Sequence, residues 1–168
     1  MSLVIRAERA GDIAAIEALT AAAFATAPHS SGTEQYIVNA LRRAGQLSIS
    51  LVAEDDGAIV GHVALSPVRI SSGASGWYGL GPISVAPARQ GQGIGARLME
   101  AALTGLRELG AQGCVLLGDP AWYARFGFAP QPGLVLPGVP PEYFQALSFS
   151  GDWPQGEVSY HLAFEATA

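Results

Sequence analysis

Three glycines, Gly91, Gly93 and Gly95, stand between Gln90, Gln92 and Ile94 just after Arg89, and a long apolar-periodic stretch begins where they end. Glycine lets a backbone approach a ligand closely, and the first N–H groups of a helix have no partner inside it. Added to the positive end of the helix dipole, this makes a donor-rich site suited to an anion such as a pyrophosphate. The residue types therefore point to a phosphate-bearing ligand. An ordinary loop-to-helix junction does not call for three glycines beside an Arg and a Gln. Gly91, Gly93 and Ala96 also satisfy the dinucleotide pattern G-x-G-x-x-A, with Asp119 as a ribose acceptor after the next strand. The layout argues against that reading. Pro87 to Gln90 separate the preceding strand from the first glycine, and Asp119 lies beyond the usual interval of about 20 residues. The motif also follows two antiparallel hairpins instead of opening a βαβ series.

The elements that must position this turn are legible from periodicity and punctuation. Leu3 to Arg6 reads as a strand. Ile13, Ile16, Leu19, Ala23 and Phe24 recur at helical spacing behind Asp12, and Pro28 ends that helix. Ser31-Gly32-Thr33-Glu34 matches a capping box and opens a second helix through about Arg43. Ser48 to Glu54 and Ala58 to Leu65 read as strands joined by the tight turn Asp55-Asp56-Gly57. A further strand runs from about Trp77 to Val85. From Gly93 to Leu109 the polar and apolar positions separate onto two faces of a helix that Gly110 stops. Gln112 to Leu117 is a buried strand. Asp119 and Pro120 are the cap and first residue of a short helix that Gly127 ends. Glu142 to Ala146 suggests a helical turn, and Leu147 to Ser150 and Val158 to Phe164 a final pair of strands.

Composition bounds the rest. The 168 residues suit one compact domain, 1–168. Charged residues make up only 14%, against about 25% in an average soluble domain, so the chain has apolar surface to bury and is not disordered. A net charge of −5 removes the electrostatic footprint of a nucleic-acid binder. The apolar runs are short and interrupted, which excludes a membrane span, and the N-terminus lacks a signal-peptide layout. Cys114 is the only cysteine, which fits a reducing, cytoplasmic compartment.

Gln90-Gly91-Gln92-Gly93-Ile94-Gly95 resembles the acetyl-CoA signature Q/R-x-x-G-x-G/A of the GNAT superfamily of N-acetyltransferases. Trp122-Tyr123-Ala124-Arg125-Phe126-Gly127-Phe128 resembles the Tyr-x-x-x-Gly-Phe helix end of the same family. The order of elements agrees over nearly the whole chain, and Leu80-Gly-Pro-Ile-Ser-Val with Gly118-Asp119-Pro120 looks most like its YhbS-like branch. The resemblance implies an α+β fold: a mixed, mostly antiparallel sheet of six to seven strands with helices on both faces. It implies acetyl transfer from acetyl-CoA, as co-substrate and without a metal, to a primary amine. The partner would be a small-molecule or peptide amine, with a homodimer left open.

The resemblance also distributes roles. Backbone N–H groups from Gln90 to Gly95, beside Arg89, would hold the pyrophosphate. Ile83, Ser84 and Val85 would pair with the pantetheine arm as an added strand does, and a backbone N–H there would oppose charge on the thioester oxygen. Gly79, Gly81 and Pro82 favour the irregular strand such a splay needs. Tyr123 would give a proton to the departing thiolate. On the residues alone Tyr123 could equally be a core aromatic; it lies ~100° around a helix from Trp122, so both cannot face one cleft. The amine must arrive neutral, so a carboxylate, a histidine or water must take its proton. His29, Glu34 and Glu142, with Tyr143, would wall the acceptor pocket. His62 and His161 read as structural, Asp119 as a helix cap and Cys114 as a small core residue. Gly118-Asp119 departs from the Asn that many family members carry before the short helix. The rival function is an acyl-CoA-binding sensor that keeps the loop without turnover.

Overall fold

The computed structural model describes residues 3–25, 27 and 30–168. The chain runs β1 (Leu3–Ala7), α1 (Ile13–Phe24), α2 (Glu34–Arg43), β2 (Ile49–Asp55), β3 (Ala58–Pro67), β4 (Arg69–Ile70) and β5 (Trp77–Val85). It continues through α3 (Ile94–Glu108), β6 (Gly113–Leu117), α4 (Pro120–Tyr123), β7 (Leu134–Val135), β8 (Phe144–Ser148) and β9 (Gly156–Ser159). Six strands form one sheet in the order β1-β2-β3-β5-β6-β8, in which only β5 and β6 are parallel. The α+β class and the helices on both faces agree with the sequence reading.

Helix α3 covers one face because Ile94, Leu98, Met99, Ala102, Leu103 and Leu106 fall on one stripe and are all buried. They rest on Ala53, Val63, Leu65, Leu80, Cys114 and Leu116 of the sheet. Burying a large apolar side chain contributes about 1.5–3 kcal/mol, so this stripe outweighs the ~1 kcal/mol that each of two helical glycines, Gly95 and Gly105, costs. Gly61 on β3 lets the helix settle: a Cβ there would lie 2.9 Å from Leu98 Cδ1 and 3.0 Å from Ile94 Cγ2. The opposite face carries α1 and α2, which meet the sheet through Ile16, Val38 and Val52.

Three expectations need correction. The last two strands do not pair with each other: β8 pairs with β6, while β9 joins β4 and β7 in a separate three-stranded sheet. After β8 the chain turns sharply, with Gly151 N–H donating to Ser148 Oγ (3.0 Å) and Ser148 Oγ donating to the Asp152 carbonyl (2.8 Å). Trp153 then stacks on Trp77, ring centroids 6.0 Å apart, which carries β9 away to its distant partners. Residues 156–159 are strand, and 162–165 form a 3-10 turn instead of continuing it. Second, the segment 142–146 is not helical throughout; a 3-10 turn at Pro141–Tyr143 leads directly into β8. Third, Ser31 does not cap α2. The N-cap is Thr33, Glu34 occupies the first helical position, and the hydroxyls of Ser30 (3.0 Å) and Ser31 (3.5 Å) reach the Glu34 carboxylate.

The parallel β5–β6 contact begins where Trp77 stands opposite Gly113. A Cβ on Gly113 would lie 2.3 Å from the Trp77 ring, deep inside contact distance. Gly113→Ala is therefore expected to destabilise the protein by about 1–3 kcal/mol, read as a lower urea midpoint. An unchanged midpoint would mean that Trp77 is not packed on that glycine.

Candidate functional site

Strand β5 pairs with β3 along most of its length, but with β6 only over Trp77–Gly113, Tyr78–Cys114 and Gly79–Val115. Beyond Gly79 the two strands part, and among the described residues Leu80 to Val85 have no strand on that side. The cause is local. The β3–β5 register shifts between Val63 and Leu65, where Gly81 and Pro82 together stand against Ala64. Gly81 has φ +142°, a conformation that side chains disfavour, and Pro82 has no N–H to give a neighbour. At the point of divergence Gly79 leaves room for Tyr160, whose Cε1 would be 2.9 Å from any Cβ.

The open edge of β5 runs toward the glycine turn. Gly91 (φ +76°) and Gly93 (φ +82°) both adopt left-handed backbone, and a Cβ on either would meet nothing within 4 Å. Conformation, not crowding, requires these glycines, and the space above them is free. Gly93 is the N-cap of α3, so the unpaired N–H groups of the first helical turn face that space. Two side chains brace the loop. Arg89 donates from Nη2 to Asp55 Oδ2 (2.8 Å) and from Nε to Gln92 Oε1 (3.0 Å); Gln90 Nε2 donates to the Val85 carbonyl (3.3 Å). The Arg89 side chain thus ties the loop to the β2–β3 hairpin.

Tyr123 lies across the gap, at the end of α4. Asp119 Oδ1 accepts from Ala121 N–H (2.9 Å) and Pro120 opens the helix, so Asp119 is the expected cap. The Tyr123 ring sits over Gly118, where a Cβ would come 2.2 Å from Cε2, and meets Trp122 edge-on (4.8 Å, 88°) and Phe128 (6.3 Å, 76°). No hydrogen bond holds its hydroxyl among the described residues. Burial, with Asp119 adding to it, pushes the phenol up to about 12. Trp122 is the residue that sequence reasoning passed over: its ring would touch a Cβ on Gly95 at 3.4 Å, which places it against the first turn of α3. Gly95 itself was the available signal.

Ile83, Ser84, Val85, Gln90 to Gly95 and Tyr123 therefore border one wedge. The other candidates are more scattered. Glu142 is exposed on a turn that Gly118 N–H fastens to the Tyr143 carbonyl (3.0 Å), close to the base of Tyr123. Glu34 stays with its serines, and no hydrogen bond or ion pair links it or Glu142 to Tyr123 among the described residues. His29 lies outside the described residues. His161 caps the 3-10 turn after β9 through Nδ1, and Cys114 is a buried thiol pushed upward by desolvation. A surface cleft of about 780 Å³ between β1, β2 and α3 is lined by none of the candidate residues.

Residues 46–130 match the model of the acetyltransferase (GNAT) domain. The N-acetyltransferase YhbS of Escherichia coli is 39% identical over 127 residues, which is 75% of this chain and 73% of YhbS. A crystal structure of YhbS in complex with CoA superimposes with a TM-score of 0.89 at 34% identity, covering 99% of this chain and 93% of that one. A GNAT family acetyltransferase from Brucella melitensis, crystallised with acetyl-CoA, gives a TM-score of 0.87 at 51% identity, covering 96% and 97% of the two chains.

The packing of Tyr123 can be read directly. With ring-labelled tyrosine, the NMR signal absent from Tyr123→Phe should remain that of the protonated phenol at pH 11, where an ordinary phenol is about nine-tenths ionised. Ionisation near pH 10 would place the ring in solvent.

Proposed function

The chain belongs to the GNAT acetyltransferase family, and from that premise we propose that residues 1–168 act as one domain moving an acetyl group directly from acetyl-CoA to a primary amine. The carrying observation is the open edge of β5 from Leu80 to Val85, which leads to a glycine turn at a helix N-terminus and faces Tyr123. The relatives crystallised with CoA and acetyl-CoA make that ligand the natural occupant. The fit is physical. A pyrophosphate needs unpaired N–H donors with room above them, which Gly91, Gly93 and the first turn of α3 supply. An extended pantetheine arm needs an unpartnered strand edge, which β5 supplies.

Acetyl-CoA brings an acyl group activated as a thioester; the chain's residues do the rest. Backbone N–H groups of Gln90 to Gly95 hold the phosphates, and the Arg89–Asp55 pair keeps the loop in register with the β2–β3 hairpin. A backbone N–H on the free edge of β5 opposes negative charge as it develops on the carbonyl oxygen. Tyr123 donates toward the leaving sulfur. Its elevated pKa keeps it protonated at every working pH, yet it also limits the role. Full transfer to a thiolate of ordinary pKa, about 8.5, would be uphill by about 5 kcal/mol, from roughly 3.5 units at 1.36 kcal/mol each. Tyr123 therefore works as a hydrogen-bond donor that strengthens as charge moves onto sulfur, and water completes the protonation. The loop bearing His29, the start of α2 at Glu34 and the turn at Glu142 wall the amine's approach, since loops on a rigid scaffold set specificity.

No helix among the described residues is long and apolar enough to cross a membrane. Together with the lone thiol Cys114, this supports a cytoplasmic site of action.

Thiol release from acetyl-CoA in the presence of a panel of primary amines tests the reading; binding without release would make the protein a sensor. Gly93→Val should weaken acetyl-CoA binding by calorimetry at least about tenfold, ~1.4 kcal/mol, because Val cannot hold φ +82° without strain. Undiminished affinity would remove the loop from the site. Tyr123→Phe should lower turnover about 10²-fold while acetyl-CoA affinity and melting temperature hold. Gly118→Ala, which displaces the ring by crowding, should lower turnover as well, but with a lower melting temperature. Near-normal turnover in Tyr123→Phe would return Tyr123 to the core aromatics.

A further inference from the structure

Five side-chain atoms are buried with no hydrogen-bond partner among the described residues: Gln35 Oε1, His62 Nδ1, Ser66 Oγ, Ser84 Oγ and Gln145 Oε1. Such orphans are rare in native interiors and mark places where water or a ligand completes the bonding. Three of them share one face of the sheet. Directly opposed residues of an antiparallel pair point to the same side, and Ser84 on β5 stands opposite His62 on β3. Ser66, four residues along β3, points the same way and stands opposite Gly79, where β5 leaves β6. This is the α1–α2 face, because Val52, the β2 partner of His62, packs on Ile16 and Val38. Helix α2 brings the fourth orphan, Gln35. A row of unsatisfied polar atoms thus runs beside the open half of β5.

His62 has a fixed polarity. Arg42 holds the Glu8 carboxylate with two bonds (2.9 and 2.7 Å), and Ser50 Oγ donates its one hydrogen to Glu8 Oε1. Ser50 Oγ must then accept from His62 Nε2, 2.8 Å away. The ring hydrogen is on Nε2, and Nδ1 keeps a bare lone pair. The charged groups that reach the ring are Glu8 past the end of β1 and Arg42 on α2; β5 presents Ser84, and the buried positions of α1 are Ile16, Leu19 and Thr20. Burial first of all holds the imidazole at about 4, so the lone pair is available throughout the neutral range.

We propose that His62 Nδ1 accepts the proton of the incoming amine through water bound at Ser66 and Ser84, with Ser50 and Glu8 as positioning residues that aim the lone pair. The proposal rests on the acetyl-transfer reading. The amine nitrogen uses its lone pair to bond the acetyl carbon, the C–S pair leaves with sulfur, and one N–H bond breaks as its proton passes through water to Nδ1. Glu8, across Ser50, opposes the charge on the imidazolium. So weak a base discharges to water once product has left, which restores the starting tautomer.

Two measurements on the full chain decide it. In 15N-histidine NMR at pH 7, His62 should show a protonated Nε2 and a bare Nδ1; the opposite tautomer overturns the proposal. In the thiol-release assay with spermidine, lysine and an N-terminal alanyl peptide, Ser50→Ala and His62→Gln should lower kcat at least about tenfold at pH 7 with KM for acetyl-CoA unchanged. The deficit should narrow toward about pH 9 to 10, where hydroxide can take the same N–H proton in place of the imidazole, and Ser50→Thr should restore activity. If His62→Gln does not fold, Ser50→Ala carries the test. Undiminished kcat, a loss independent of pH or a loss that follows melting temperature refutes the assignment and leaves acetyl transfer standing. Wild-type protein that binds acetyl-CoA yet releases no thiol with any of these amines removes both.

Discussion

A backbone donor or acceptor shut away from water must find a partner, and from Leu80 to Val85 a central strand pairs with another strand along one edge only. Leu80 to Val85 lie in the middle of a sheet, flanked by β3 on one edge and by a widening gap on the other. Edge strands are normally blunted or covered. Here the edge is kept open by a residue pair that cannot continue the pattern, Gly81-Pro82, and by the ring of Tyr160 over Gly79. The rest of the molecule can be understood as what makes that opening tolerable and useful. Helix α3 and its apolar stripe hold the strands on one face, and β8 keeps β6 in place from its far edge. A glycine turn completes the wedge with donors of the same kind that the strand edge offers.

The polar groups around the opening separate by environment. Arg89 and Asp55 form a partly exposed pair whose net energy is small, so its value lies in geometry. Tyr123 is the reverse case: a hydroxyl on a packed ring, with no hydrogen bond among the described residues, kept neutral by burial and so able to donate. The Glu8–Arg42 pair is about equally exposed, but its use extends inward through Ser50 to a ring whose hydrogen it dictates.

What could be read in the sequence was what nearby residues determine. The glycine turn, the α3 stripe, the Asp119-Pro120 cap and the irregular Gly79–Pro82 segment are local patterns, and all are present. The β8–β9 pairing was misread because a turn-rich stretch between two short apolar runs looks like a hairpin. The partners that decide the matter, β4 and β7, are two residues each and lie far away in the chain. Ser31 fitted a capping box, yet the serine hydroxyls bond the Glu34 carboxylate directly and move the helix start. His62 read as structural, and the chain that orients it joins residues 8, 42, 50 and 62 across two strands, a helix and the segment after β1, with no spacing to announce it. The partner of Arg89 is likewise 34 positions away.

Trp122 rests against Gly95, whereas the other two tryptophans, Trp77 and Trp153, stack on each other elsewhere in the fold. The indole beside the loop has Arg125 over its face, 5.5 Å from the ring centre, and Tyr123 at its edge. A charge arriving at the first turn of α3 changes the field across that ring. If the proposed ligand fills that loop, the change should appear in the fluorescence of Trp122, placed apart from the other two tryptophans.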